Sequence, residues 1–432
     1  MKRFKIYTLG CKVNQYETEA VEELLEKEGY ILDPDDEADV VLINTCTVTN
    51  ESDRKSRQII RRHKRKNPDC KVVVFGCYAQ VAREEVAKIE GVDLVLGTKN
   101  RRDIPEHLTS LFEGAEQIID VESHEPGEAF ETLKIKEIEG RTRAYMKVQD
   151  GCNQYCSYCI IPYARGFIRS RDLEESVQEA ERLAKNGFKE VVLTGIHIGS
   201  YGKDLEGDLG LIDLIEAIAG VEGIERVRLS SVEPMTITED FLSRVEKLEN
   251  FMPHFHLSLQ SGAAKTLRAM NRKYTPEDYR ETVERIRRVY PDAGITTDVI
   301  VGFPGETEED FEESYAFVEE MAFSDLHVFP YSQRRNTPAA KRSDQVPGEI
   351  KKDRAARMIE LGKAMRREFI GTIAGKSYPV LFEEEKDGLF FGYTPNYLRV
   401  GVASDENIQN ALEYVTIVKE NDDIILGHMG KE

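Results

Sequence analysis

Three of the seven cysteines of this 432-residue chain fall within nine residues, "GCNQYCSYC" at 151–159. The spacing of Cys152, Cys156 and Cys159, C-x3-C-x2-C, lets one loop wrap a compact inorganic core. It offers that core three soft thiolates, the ligands that select iron–sulfur clusters or zinc. Structural zinc asks for four ligands at short spacing, and the next histidine, His197, belongs to a later unit of the chain. A four-iron cube held by three cysteines keeps one iron open for chemistry, so the cluster is the better fit. A second set is spread out: Cys11, Cys46 and Cys77 each close a β-rich run, "FKIYTLGC", "VVLINTC" and "VVVFGC". Thiols at strand ends can meet at one point as ligands, or serve as buried small hydrophobes. Cys70 precedes its strand, roughly 20 Å from Cys77 along an extended chain, and is left out of that set.

These residues need elements to position them. The first hundred residues alternate short β runs with helical stretches such as "ETEAVEELLEKEG", the pattern of an α/β unit with a parallel sheet. A weakly patterned polar segment, 115–140, reads as a linker between a domain at 1–114 and one at 141–370. The second domain offers six strands, "RAYMKVQ", "EVVLTG", "RVRLSS", "FHLSLQ", "ITTDVIVGF" and "DLHVFPY", each followed by a helix-length segment. Six βα units predict an incomplete TIM-like barrel, whose active site belongs at the carboxyl ends of its strands. Cys152, Gly195, Glu233, Gln260, Gly302 and Tyr331 lie just past them. From 371 to 432 short strands with turn signals predict a small closed antiparallel barrel.

Composition narrows the partners. An odd cysteine count in a long chain argues against a disulfide framework. No apolar run approaches a membrane span and no apolar leader follows "MKRFKIYTLG", which predicts a cytoplasmic protein without membrane contact. The net charge of −20 opposes phosphate binding by the chain as a whole. Local patches must supply it. "RKSRQIIRRHKRK", Arg54 to Lys66, carries eight Lys/Arg and no acid, so Arg57, Arg61, Arg62 and Arg65 are candidate RNA contacts. Arg165, Arg169 and Arg171, just past the cysteine loop, are placed to steer an anion. In the acidic terminal barrel, "YTPNYLRV" offers Tyr393 or Tyr397 for base stacking beside Arg399.

With Tyr158 completing C-x3-C-x-aromatic-C at the end of a first barrel strand, the chain resembles the radical S-adenosylmethionine enzymes. The three-cysteine domain ahead of it, the "SLQSGA" and "GFPGET" stretches behind it and the terminal barrel resemble the methylthiotransferases, over essentially the whole length. That resemblance implies a cluster domain, a radical core and an OB-like TRAM domain that binds RNA. It implies that Cys152, Cys156 and Cys159 hold a 4Fe-4S cluster whose open iron chelates S-adenosylmethionine, and that Cys11, Cys46 and Cys77 hold a second one. Tyr158, Gly195, Glu233, Gln260 and Asp298 are then candidate cofactor contacts, with ordinary turn and capping roles as the alternative.

The implied activity is methylthiolation of a tRNA base in the anticodon loop. A 5′-deoxyadenosyl radical removes hydrogen, and a second S-adenosylmethionine methylates sulfur held at the auxiliary cluster. An electron donor and a sulfur donor are required, and the sequence identifies neither. "LGCKVNQYE" and "CTVTNESDRKSRQIIRR" resemble the branch acting at C2 of N6-threonylcarbamoyladenosine at tRNA position 37. Branches acting on isopentenyladenosine, or on an aspartate of a ribosomal protein, carry other residues after the first cysteine. A non-enzymatic RNA-binding protein with zinc-stabilised folds is the rival from another class.

Overall fold

Six parallel strands of the N-terminal domain form one sheet. In the computed structural model, which describes residues 2–33, 37–47, 50–133, 142–421 and 424–430, they are β1 (Arg3–Thr8), β2 (Ile31–Leu32), β3 (Val40–Thr45), β4 (Lys71–Gly76), β5 (Leu94–Leu96) and β6 (Ile118–Asp120). Their order is β2-β1-β3-β4-β5-β6. The central strands β3 and β4 are apolar on both faces, as a parallel sheet covered by helices requires. Leu42, Val73 and Phe75 pack into one core, and Val41, Ile43, Val72 and Val74 into the other. Helices α1 (Lys12–Lys27), α2 (Asn50–Lys66) and α3 (Cys77–Val81) follow β1, β3 and β4.

The middle domain contains six parallel strands in sequence order: β7 (Arg143–Lys147), β10 (Glu190–Thr194), β11 (Arg226–Leu229), β12 (His254–His256), β13 (Gly294–Val301) and β14 (Asp325–Pro330). They make two three-stranded sheets, joined where Val232 bridges Leu257. Local signals stop and start the intervening helices. Thr275 and Thr307 cap theirs reciprocally with Asp278 and Asp310, satisfying backbone N–H groups that the helix leaves open. A two-stranded ribbon, β8 (Gln149–Asp150) with β9 (Arg169–Ser170), pins both ends of the cysteine loop.

The terminal domain is a closed barrel of β15 (Ser377–Lys386), β16 (Leu389–Tyr393), β17 (Arg399–Val402), β19 (Ile424–Met429) and β18 (Leu412–Asn421). It is not wholly antiparallel as expected: β17 and β19 pair in parallel and close it. Two expected boundaries also differ. Residues 118–120 are the sixth strand of the first sheet, and Glu131 pairs with Arg101, so the segment read as linker is packed structure as far as Leu133. Its remainder, 134–140, lies outside the described residues. The helix Gly348–Ile373 runs past the expected boundary at 370, with Met358 and Met365 in the middle core and Ile370 and Ile373 in the terminal one. Among the described residues no helix is long and apolar enough to cross a membrane.

Candidate active site: two cysteine triplets on one cleft

Cys11, Cys46 and Cys77 stand at the carboxyl ends of β1, β3 and β4, which are neighbours in the sheet. Their loops approach closely. Gly10, at φ +133°, leaves room for Cys46, whose Cβ is 3.0 Å from where a side chain would begin. Gly76, at φ +97°, passes as close to Asn44 and Thr45. Asn14 ties the loops by donating to Asn44 Oδ1 (2.9 Å) and to the Thr45 carbonyl (3.1 Å), while Cys11 Sγ donates to Asn14 Oδ1 (3.3 Å). Neither asparagine stands out in the sequence; their only signal is that each lies within three residues of a cysteine. Cys70 lies at the opposite end of β4, buried among Val41, Ile60 and Val72, and burial pushes its thiol up to about 11.

Cys152, Cys156 and Cys159 share one irregular loop. Gly151, at φ +72°, turns it where any side chain would strike the Phe167 carbonyl. Ser157 anchors it, its N–H donating to the Met270 carbonyl and its hydroxyl to that of Ala269. The Tyr158 ring packs with Met270, Phe303, Tyr331 and Ala339, so this aromatic holds the loop on the middle domain. Arg272, which no sequence motif marks, donates to Cys156 Sγ at 3.4 Å and to Glu233 Oε2 at 2.6 Å. A cavity of about 170 Å³ beside Cys156 is lined by Glu233, His197, Thr236 and Tyr274.

The other expected cofactor contacts are placed differently. Gly195 is small because Gln149 lies against it, with side-chain atoms 2.9–3.0 Å from where a Cβ would stand. Gln260 takes a left-handed turn (φ +67°) and donates its N–H to the Asp298 carbonyl. Asp298 faces a different cavity, its carboxylate 3.3 Å from both His256 and His327.

The arginines after the loop are buried and do not steer an anion; Arg165 fastens two domains. Arg165 is fully buried, pairs with Glu17 of α1 and donates Nε–H to Cys77 Sγ at 3.2 Å. Arg101 (2.8 Å) and Lys147 (2.8 Å) also hold Glu17, and Asp150 takes Lys147, Arg165 and Arg169. Arg171 is buried beside Glu179 at 3.8 Å. Burial would raise the Glu17 carboxyl, but Arg101, Arg165 and Lys147 overcome it and hold the group at about 2.

Beside the clamp, residues adjoining both triplets line one cleft of about 1490 Å³. Thr47, Tyr78 and Ile160, the residues directly after Cys46, Cys77 and Cys159, all line it. So do six Lys/Arg against three Glu, a basic surface in an acidic chain. Arg57 reaches it from α2, donating to Tyr78 Oη at 3.2 Å, and Arg61 and Arg65 continue the same helix face outward. Arg61, Arg62 and Arg65 are exposed. Tyr163 (49% exposed) lines the cleft and meets Tyr155 (43%) edge to face at 6.0 Å, an open aromatic pair.

The tyrosines expected to stack a base are not open. Tyr397 stacks on Tyr393 at 4.7 Å and on His254 at 4.5 Å, with the Arg228 guanidinium 4.7 Å from its ring. Arg143 sits 4.7 Å over Tyr393. Arg226 donates to the carbonyls of Tyr393 and Pro379, and Arg228 to those of Pro395 and Thr394. The aromatic strand therefore docks the terminal barrel on the middle domain. Arg399 is half-exposed, pairs with Glu384 at 2.6 Å and lies over Phe391.

The donor set fits a cluster better than a lone ion. Tetrahedral zinc with bonds near 2.3 Å would draw thiolates to within about 4 Å of one another. Among the described residues, only His256, Asp298 and His327 gather three ligand atoms within 4.8 Å; both cysteine triplets are more open and suit a larger core. Burial pushes the thiols of Cys77, Cys152 and Cys159 up to about 12, 11 and 12, so they remain protonated until a metal competes for the proton.

Comparison with known proteins agrees with this geometry. Residues 146–318 match the Radical SAM superfamily, and residues 3–97 match the uncharacterized protein family UPF0004. The chain is 42% identical over 426 residues to the threonylcarbamoyladenosine tRNA methylthiotransferase MtaB of Bacillus subtilis, covering 97% of this chain and 94% of that one. It is 36% identical to the tRNA-2-methylthio-N(6)-dimethylallyladenosine synthase of Acetivibrio thermocellus, covering 96% and 88%. In fold it is similar to the radical S-adenosylmethionine methyltransferase TsrM of Kitasatospora setae, with a TM-score of 0.58 at 16% identity over 95% of this chain and 83% of that one. With near-full-length identity of this order and a cysteine loop beside parallel strands, the chain belongs to the radical S-adenosylmethionine tRNA methylthiotransferases, enzymes that work with S-adenosylmethionine and 4Fe-4S clusters.

Proposed function

We propose that the protein methylthiolates C2 of N6-threonylcarbamoyladenosine at position 37 of tRNA. The observation that carries this is the shared cleft: the residues next to Cys46, Cys77 and Cys159 line one basic surface. Cys152, Cys156 and Cys159 would hold the cluster that binds S-adenosylmethionine, with Glu233 and Arg272 beside Cys156 placed to receive the cofactor's polar groups. Cys11, Cys46 and Cys77 would hold a second cluster. When bound, these groups supply the one-electron and sulfur chemistry that replaces hydrogen by a methylthio group.

The chain's own residues position and shield. The Glu17–Arg165–Asp150 clamp keeps the two triplets in register across the domain boundary. Ile160 and Pro162 wall the cleft with apolar surface beside Cys159, which excludes water and stray hydrogen donors. Arg57, Arg61 and Arg65 track phosphates, and the exposed Tyr155–Tyr163 pair takes bases displaced from the anticodon-loop stack. The choice of nucleoside rests on the greater likeness to the threonylcarbamoyladenosine enzymes than to the dimethylallyladenosine ones. Nucleoside mass spectrometry of tRNA from a strain lacking the gene decides it. Loss of 2-methylthio-N6-threonylcarbamoyladenosine with accumulation of its precursor is expected; loss of the dimethylallyl derivative instead would overturn the assignment.

A further inference from the structure

Where the three domains meet lies a second cavity, of about 300 Å³, that the cysteine chemistry does not use. Its wall carries Lys12, His256, Asp298, His327, Asp325 and Arg366. Most of these charges answer one another. Asp298 is met by His256 and His327 at 3.3 Å each, and Arg366 faces Asp325 at 3.9 Å. Lys12 is left over. It is half-buried, and its ammonium has no hydrogen-bond or ion-pair partner among the described residues, only the Tyr145 ring at 5.9 Å. A desolvated ammonium without a counter-ion is costly, and an anion entering the cavity relieves that cost. Ser231 adds an exposed hydroxyl to the wall, while Ser324 and Asn396 donate to the carbonyls of Ile295 and Asp292.

Two short stretches of chain tie this cavity to the cysteine sites. Lys12 directly follows Cys11 at the start of α1. On the other side, Ser231 lines this cavity and Glu233 lines the one beside Cys156. Two residues span at most about 7 Å, so the two cavities are neighbours. We propose that this cavity is the specificity pocket for a carboxylate-bearing substituent on the target base, with Lys12 Nζ as its counter-ion and the Ser231 hydroxyl as a partner for its polar groups. The inference rests on the reading of the chain as an enzyme of N6-threonylcarbamoyladenosine, whose side chain carries a carboxylate and a hydroxyl. A dimethylallyl group has neither. It would leave the ammonium unpaired in a polar cavity, the situation in which a site rejects an analogue most strongly.

The test compares three anticodon stem-loops of one sequence, carrying threonylcarbamoyladenosine, dimethylallyladenosine or unmodified adenosine, on the reconstituted full chain. Affinity is read by fluorescence anisotropy and turnover by mass spectrometry. Lys12→Met is expected to cut the preference for the threonylcarbamoyl stem-loop over the unmodified one by roughly 10- to 100-fold, the worth of one charge-assisted hydrogen bond. Lys12→Arg should retain most of it. His327→Gln, remote in sequence from every cysteine, should also lower the preference, and it decides the matter if Lys12→Met loses iron. An unchanged preference in iron-replete Lys12→Met overturns the pocket while wild-type turnover of the threonylcarbamoyl substrate leaves the function standing. Wild-type turnover of the dimethylallyl stem-loop alone overturns the function itself. One zinc retained beyond the iron, and absent from His327→Gln, overturns the pocket by making His256, Asp298 and His327 a metal site.

Discussion

At the scale of single residues, the site depends on where cysteines end strands and on one buried carboxylate. The reconstituted chain is expected to hold about eight iron and eight sulfide atoms as two cubes. Cys152→Ala and Cys46→Ala should each lose half, and Cys70→Ser should lose none, as iron and acid-labile sulfide analysis will report. Glu17 is the hub of the interdomain clamp. Replacing it by Gln strands Arg101 and Arg165 in the interior and should destabilise the chain by about 3–5 kcal/mol at neutral pH, read from urea unfolding. The sign of its pH dependence follows from its depressed folded value. The stabilisation is complete above the ordinary value of 4.5 and fades as pH falls toward about 2, so the gap between wild type and Glu17→Gln should close over that window.

At the scale of elements, α2 is where an acidic protein meets a polyanion. Arg57, Arg61 and Arg65 recur every fourth residue on one face, while Lys64 is turned inward onto Asp93 at 2.9 Å. Exchanging Arg57, Arg61, Arg62 and Arg65 for Gln should weaken tRNA binding and flatten its log–log salt dependence by up to roughly 0.7–0.9 for each phosphate no longer neutralised. Iron content should be unchanged. A variant with the wild-type slope would reduce α2 to a solvated face.

At the scale of the whole molecule, three domains are welded rather than strung together. The helix Gly348–Ile373 is shared by two cores, and Arg226 and Arg228 spend their donors on carbonyls of the terminal barrel. Truncation after residue 370 would therefore uncover buried arginines as well as remove a domain. Point variants separate the roles. Tyr397→Ala should lower thermal stability and leave the salt dependence of tRNA binding unchanged, because its faces serve the domain interface. Tyr163→Ala should do the reverse, leaving the melting temperature within a few degrees and weakening tRNA binding by about 1–3 kcal/mol, the worth of one stacked base.

Cysteine spacing, the β-rich runs ahead of each distal cysteine and six βα repeats were enough to expect two triplets at strand ends on α/β frameworks. Those signals are local: a thiol three or four positions from its neighbour, or an apolar run that can only be a buried parallel strand. Cys70 could be set aside from strand length alone. What the sequence could not decide was which charges find each other. Arg165 and Tyr397 have the composition of nucleic-acid contacts, yet one is bound to Glu17, about 150 positions away, and the other to His254. Arg272 carries no motif and Lys12 lies in the "LGCKVNQYE" stretch, but their roles exist only once the fold brings Cys156 and His327 beside them. A side chain's charge is written in the sequence, but whether that charge is neutralised inside the protein or left for a ligand depends on long-range packing, and only the tertiary structure settles it.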